Sequence, residues 1–238
     1  LAAMAVFRRQ HHQKIHQVLQ SLDAPFLAQH QCYFGGGTAI VLRRGEYRES
    51  VDMDFLVSDI EAYRELRKQL QAPKVLDQVF GMGRGPLTEM PELRADQYGI
   101  RTRLPLVSGG IKFEIVFEAR ISFDSPGPDD EVAGVSTLTE IDLAASKLLA
   151  NVDRWSDAGV YGRDIIDLAM LDLPEKKWSQ ALAKAETAYG DAVGRDVHKA
   201  VATLQNNPDR LSSCLEALAM DVPAALVLKH LKRIDSMC

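Results

Sequence analysis

Cysteine is scarce in this sequence: Cys32, Cys214 and Cys238 are the only three, and no two of them stand in a C-x-x-C spacing. That excludes a disulfide framework and a thiolate zinc cluster, and a reducing cytoplasm fits such usage best. Long apolar runs are missing too. None approaches the roughly 18 residues that a membrane span needs, and the opening LAAMAVFRRQHHQKIHQ turns charged too early for a signal peptide. No membrane is therefore expected among its partners. An excess of positive charge is likewise absent: 28 Lys and Arg stand against 33 Asp and Glu, giving a formal net charge of -5. Proteins that coat nucleic acid carry a broad basic footprint, so only a local basic groove is compatible with this balance. Internal repeats and low-complexity tracts are not found. What remains is a chain of 238 residues, 46% hydrophobic and 26% charged, long enough for one large domain or two modest ones, each with a real core.

Apolar spacing predicts a helix over residues 4–22, with Val6, Ile15, Val18, Leu19 and Leu22 on one face. His12 and His16 lie one turn apart there, but no third ligand stands near them, and a surface helix is expected. After the apolar CYF come Gly35, Gly36, Gly37, Thr38 and AIVLRR, read as a glycine turn feeding a helix over about 38–44 with Thr38 as its cap. SVDMDFLV alternates as a strand, Val51, Met53, Phe55 and Val57 pointing one way and Asp52, Asp54 and Leu56 the other. An amphipathic helix over 60–72 ends at Pro73. KVLDQVF is expected to be a strand and GMGRGP a flexible loop, since its glycine spacing is wrong for a dinucleotide fingerprint. YGIRTRLPLV and GIKFEIVFEA flank Ser108-Gly109-Gly110 as a hairpin, with Lys112, Glu114 and Glu118 opposite the apolar face. Beyond the SPGPDD loop the pattern is helical: a pair over 139–171, then further helices over 174–238 with NNPD as the clearest break. The fold class is thus α+β. A mixed N-terminal domain, residues 1–135, is followed by a helical C-terminal domain, residues 136–238.

Two acidic residues inside an apolar strand need a reason. Residues two apart on a strand share a face, with Cβ atoms roughly 6–7 Å apart, so both carboxylates can reach one or two divalent ions. Without a cation they repel. Glu114, which interrupts its own strand in the same way, is the candidate third carboxylate. A solvated edge strand is the competing reading, whereas a calcium loop fails because its glycine and distal glutamate do not follow Asp54. The glycine turn bears on that choice, since a helix N-terminus offers free amides and partial positive charge to a phosphate. Glycine lets the anion approach closely, and the Thr38 hydroxyl could donate as well. A simple turn with a capping threonine remains the alternative. Walker A is excluded, because no GK[ST] follows. Phosphate cradle followed by two-carboxylate strand is the order of a minimal nucleotidyltransferase.

GGGTAI...RRGEYRESVDMDFLV resembles the Gly-Gly-Thr-Ala-Leu and Arg-x-Ser-x-Asp-x-Asp-Phe motifs of AbiEii/AbiGii-type nucleotidyltransferases, toxins of abortive-infection and toxin-antitoxin systems. EIDLAASKLLANVDR (140–154) is similar to that family's Leu-Ala-x-x-Lys-Leu helix, and GRDIIDLAML (162–171) to its Arg-Asp-x-x-Asp-Leu segment. The likeness runs from about residue 34 to 171; beyond 172 only generic helices are seen. It implies a nucleotidyltransferase-type small mixed sheet with flanking helices, and a helical domain that closes the active-site cleft. Residue by residue, it implies that Gly36, Gly37 and Thr38 hold the triphosphate, and that Asp52, Asp54 and Glu114 bind magnesium, two ions in all. Glu118 is the fallback for the third position. Lys147 would reach phosphate or nucleotide, Asp164 and Arg163 would line the rim, and Arg154 would face the phosphates. On the residues alone, Lys147 reads as a solvated helix position, and Asp164 and Asp167 as ordinary first-turn acids.

The implied reaction moves a nucleoside monophosphate from an NTP to a hydroxyl of RNA, tRNA included, or of a protein, with a cognate antitoxin as a further partner. Two alternatives stay open: a nucleotide-binding regulator without turnover, and an adenylyltransferase acting on a small antibiotic. RELRK (64–68) and KHLKR (229–233) are read as solvated basic faces, either of which could guide an RNA.

Overall fold

The computed structural model describes residues 7–238. They fall into two compact units: the residues up to Glu46 together with Ser50–Thr139, and Tyr47–Glu49 together with Glu140–Cys238. The passage to the helical unit at 139–140 lies a few residues beyond the boundary expected at 135–136. The excursion of Tyr47–Glu49 was not foreseen.

In the first unit, α1 (Gln10–Ser21) and α2 (Ala24–Gln29) lead into β1 (Tyr33–Gly35), α3 (Gly36–Arg43) and β2 (Met53–Val57). Then come α4 (Ile60–Gln69), α5 (Pro73–Val79), β3 (Arg94–Ala95), β4 (Gly99–Leu104), β5 (Ile111–Phe117) and the short hairpin β6 (Glu131–Val132) and β7 (Val135–Ser136). Five strands form one sheet in the order β1-β2-β5-β4-β3, with β2 and β5 parallel and the other neighbours antiparallel. Its buried face carries Met53, Phe55, Val57, Ile111, Phe113 and Ile115, none more than 1% exposed. Phe34, Phe55, Phe113 and Phe80 run across that face as a chain of rings with centroids 5.3 to 5.4 Å apart. Truncating one such ring to alanine costs about 3–5 kcal/mol.

Two expectations change here, and part of a third is not covered. Residues 4–6 of the first expected helix lie outside the described residues. His12 does not face solvent: it is fully buried, its Nδ1 lies 2.8 Å from Glu46 Oε1, and its Nε2 accepts from the Ser50 amide at 3.1 Å. An i,i+4 reading could not see that pairing, because Glu46 and Ser50 are brought in by a later turn. KVLDQVF is not a strand but α5, which Pro73 opens at its first position. Proline's fixed φ suits that place and its missing N–H is no loss there.

The second unit holds α6 (Glu140–Arg154), a 3₁₀ turn (Ala158–Val160), α7 (Arg163–Leu171), α8 (Glu175–Tyr189), α9 (Ala192–Gln205), α10 (Pro208–Ala217) and α11 (Ala224–Asp235). Leu148, Ile166, Trp178, Val197, Val201 and Leu231 are fully buried among them. NNPD interrupts as its composition demands: Asn207 caps α10, its side chain accepting from the Arg210 amide at 3.0 Å. Part of KHLKR is internal to this unit, since Arg233 and His230 both reach Asp172. Among the described residues no helix is long and apolar enough to cross a membrane.

Candidate active site

The polar face of the sheet carries one continuous row. Gly35 stands opposite Asp54, Asp54 opposite Glu114, Glu114 opposite Arg101, and Arg101 opposite Arg94. Two of the three expected carboxylates are therefore cross-strand neighbours, on strands about 4.8 Å apart. All three, Asp52 included, are half-buried rather than sunk in the core. The Glu114 carboxylate is held from both sides. Lys112 donates to Oε2 at 2.6 Å, and Arg101 Nε lies 3.3 Å from Oε1. Burial works against the Lys112 charge, yet its pKa stands above the usual lysine value because of the bond to Glu114 and the negative charges of Glu114, Asp52 and Asp54. One ammonium thus senses the whole acidic set.

The glycine turn meets that set directly. Gly36 has φ +65°, and a Cβ placed on it would fall 2.5 Å from Asp54 Oδ2. Only a residue without a side chain brings the start of α3 this close to the carboxylate. Gly35, at the cap position of α3, has no side chain to bond the first-turn amides, which face the Asp54 side of the turn. Gly37 is buried just inside that turn. Thr38 is tied into the protein. It is 1% exposed, and its hydroxyl donates to the Asp52 carbonyl oxygen at 2.5 Å while lying 2.8 Å from Ser50 Oγ. With its hydroxyl turned into the protein, Thr38 fixes the backbone of Asp52 rather than reaching for a phosphate. His12 completes the line, since it receives the Ser50 amide and leans on Glu46. Glu118, the fallback, is fully engaged by Arg120: Oε1 accepts from its amide and Nε at 2.9 and 2.8 Å, and Oε2 from Nη2 at 2.7 Å.

The remaining expected residues gather in the helical unit. Asp164 and Asp167, one turn apart on α7, enclose the Lys147 ammonium, with 2.8 Å to each. Arg154 makes two bonds to Asp164, at 2.7 and 2.9 Å, and Arg48 makes two to Asp167, at 2.8 and 2.9 Å. Tyr47 adds its hydroxyl to Asp167 at 2.6 Å. Burial opposes every charge in this cluster. The neighbours prevail, so the carboxyls of Asp164 and Asp167 lie below the usual range and the Lys147 ammonium above it. Lys147 is only 6% exposed and paired with two aspartates, so it is not the solvated helix position that the residues alone suggest. Arg163, half-buried, opens α7.

The profile of the family described as nucleotidyl transferase AbiEii toxin, type IV toxin-antitoxin system, matches residues 17–236. The chain belongs to the AbiEii family. It is a nucleotidyltransferase. Two solved structures from Helicobacter pylori share its fold. The JHP933 structure aligns with TM-score 0.56 and 14% identity over 97% of this chain and 94% of its own. A second protein, assigned to the nucleotidyltransferases, aligns with TM-score 0.51 and 16% identity over 99% and 96%. No curated protein matches the chain.

Nucleotidyltransferases of this kind work with an NTP and divalent metal, and the donor set suits such an ion. Carboxylate oxygens are the ligands that hard cations prefer, and a cation is already drawn to them in the form of Lys112. Among the described residues no three such side chains are gathered as a ready metal cluster. The reason is visible at Glu114, whose oxygens face Lys112 and Arg101. Lys112 and Arg101 are the site residues that the sequence reading did not single out. Alternation alone put Lys112 beside Glu114, and that was the available signal. For Arg48 the signal was its place at the head of the quoted Asp-x-Asp motif.

Proposed function

We propose that this AbiEii enzyme transfers a nucleoside monophosphate from an NTP to a hydroxyl of an RNA, tRNA included, and releases pyrophosphate. The bond from the acceptor oxygen to the α-phosphorus forms, the bond from the α-phosphorus to the bridging oxygen breaks, and the hydroxyl proton leaves to solvent. The observation that carries this reading is the row Gly35, Asp54, Glu114, with the uncapped start of α3 against Asp54.

Asp52, Asp54 and Glu114 would hold magnesium, which when bound would neutralise the triphosphate and lower the pKa of the attacking hydroxyl. Around it the chain's own groups position. Amides at the start of α3, at Gly36 and Gly37, receive phosphate oxygens. Thr38 keeps Asp52 at a fixed height beside the strand. Lys112, beside the acidic set, would bring its positive charge to the triphosphate held there. A hydroxyl of a protein is the second acceptor class this geometry admits. Work alongside a cognate antitoxin belongs to the same reading. So does a cytoplasmic setting, which accords with Cys32, Cys214 and Cys238 all standing as free thiols.

The test is transfer of label from α-³²P-NTP in magnesium, with RNA, protein and aminoglycoside acceptors run side by side for wild type and Asp54→Asn. Label entering RNA with wild type and not with the variant is the expected result. Nucleotide binding without transfer to any acceptor would instead make the chain a regulator, and label in the antibiotic would make it a small-molecule adenylyltransferase.

A further inference from the structure

The RELRK segment, unused by the site described so far, lies beside a cavity of about 540 Å³ in the first unit. That volume is in the range of pockets that enclose small molecules. Its floor is aromatic: the buried Tyr63 of α4 and Phe117 of β5 stack on each other, with ring centroids 5.2 Å apart and planes 19° from parallel. Arg64 and Arg67 stand at the same cavity. The Arg67 guanidinium lies 5.8 Å from the Tyr63 ring and donates to the Asp96 carbonyl at 2.9 Å; among the described residues no carboxylate pairs with it. Arg64 is exposed and, among the described residues, bonds to Glu61 of its own helix at 2.6 Å.

Tyr98 is the unusual member. Its backbone is fixed at both ends, the amide donating to Asp96 Oδ1 at 2.7 Å and the carbonyl accepting from the Phe117 amide at 2.9 Å. Its ring is nevertheless 63% exposed. Folding has ordered this residue without burying it, so a partner that covers the ring meets a pre-set surface and loses little entropy in doing so. One exposed aromatic ring with two arginines and no acidic residue lining the cavity matches a unit that is flat on one side and anionic on the other, which is a nucleotide of a single strand. The cavity also connects to the acidic set. Arg101 pairs with both Glu114 and Asp96, and the backbone carbonyl of Asp96 accepts from Arg67. Phe117 lies three residues beyond Glu114 on β5, about 10 Å along the strand and facing the other side of the sheet, so a single strand of several nucleotides that touches both has to pass round the sheet.

We infer that this cavity is a second contact point for the polynucleotide acceptor: it takes an unpaired base on the exposed ring of Tyr98, with the adjoining phosphate on Arg64 and Arg67. The inference rests on the reading that RNA is the acceptor.

The experiment measures anisotropy of a labelled single-stranded RNA oligonucleotide with the full chain, across a salt series and without NTP. Tyr98→Ala should weaken binding about tenfold and Tyr98→Phe should hold it, because stacking needs the ring and not the hydroxyl. Arg64→Ala with Arg67→Ala should lower the slope of log affinity against log salt by roughly 1.4. KM for NTP should stay unchanged in all three, and thermal melting should confirm the fold, which an exposed Tyr98 makes safe. Wild-type affinity and slope in Tyr98→Ala and the arginine double variant would overturn the inference and leave the cavity to a protein partner. Absence of RNA binding by the wild type would overturn it too. Should the oligonucleotide bind as expected while label enters only protein, the acceptor reading fails and the cavity stands. Should label enter RNA while the variants bind it normally, this inference alone fails.

Discussion

The Thr38 hydroxyl donates to the carbonyl oxygen of Asp52 across 2.5 Å, and through Ser50 it is tied back to the buried His12. A residue that a motif comparison assigns to phosphate thereby becomes the anchor of the first carboxylate. Thr38→Val keeps the shape and removes the donor. It should lower kcat about tenfold to a hundredfold and cost roughly 1–3 kcal/mol of stability, since the carbonyl is left short of a partner. Thr38→Ser should restore both. If Thr38 bound the triphosphate instead, KM for NTP would rise with kcat little changed, and steady-state kinetics on the two variants separates the cases.

Gly36 and Gly45 make a matched pair of left-handed glycines, φ +65° and +75°. A Cβ at Gly36 meets Asp54 within 2.5 Å, whereas at Gly45 nothing lies within 4 Å. Both alanine variants should lose roughly 1–2 kcal/mol to backbone strain. Only Gly36→Ala should also abolish transfer, because Asp54 has to move aside. Thermal melting and the label-transfer assay run on both variants check the contrast.

Much of this was legible beforehand, and the failures have physical causes. The parity of Asp52, Asp54 and Glu114 could be read from strand alternation, because a period of two leaves little choice once one face is buried. The glycine turn could be read because φ above zero selects glycine. What failed depended on partners distant in sequence. Nothing near Lys147 announces that Asp164 and Asp167 close on it from another helix, or that Arg48 arrives from a segment that leaves the sheet unit for three residues. His12 looked like a surface residue for the same reason. KVLDQVF was misjudged because a short apolar run fits either period, and the proline at its head, which decides for helix, was counted only as the end of α4.

Glu114 and Glu118 separate the two candidates for the third carboxylate. Glu114→Gln should reduce transfer by at least a hundredfold and raise the magnesium concentration needed for half-maximal rate, with melting temperature little moved, since a half-exposed lysine and arginine can turn to water. Glu118→Gln should leave transfer intact and lower stability by roughly 1–3 kcal/mol, through the weakened Arg120 bonds. A reversal of these outcomes would move the catalytic role to Glu118.

The helical unit's charge cluster sets the pH limits of stability. Asp164 and Asp167 titrate below their unfolded values when folded, so the stability they contribute is full above about pH 4. It drains away as pH falls through their lower folded pKa values. Lys147 is shifted upward, so its share is full below about pH 10 and fades as pH rises past that. Urea melts from pH 2 to 11 should therefore show a plateau with an acid limb that is steeper than in Asp167→Ala. That variant should lose about 3–5 kcal/mol at neutral pH, because Arg48 and Lys147 stay buried with a partner gone. Asp164→Asn should lose less: its Arg154 is 35% exposed and can turn to water, while Lys147 keeps Asp167. Equal losses in the two variants would mean that the Arg48 end of the cluster is no more critical than the Arg154 end, and that Tyr47–Glu49 is held in the helical unit by packing rather than by charge.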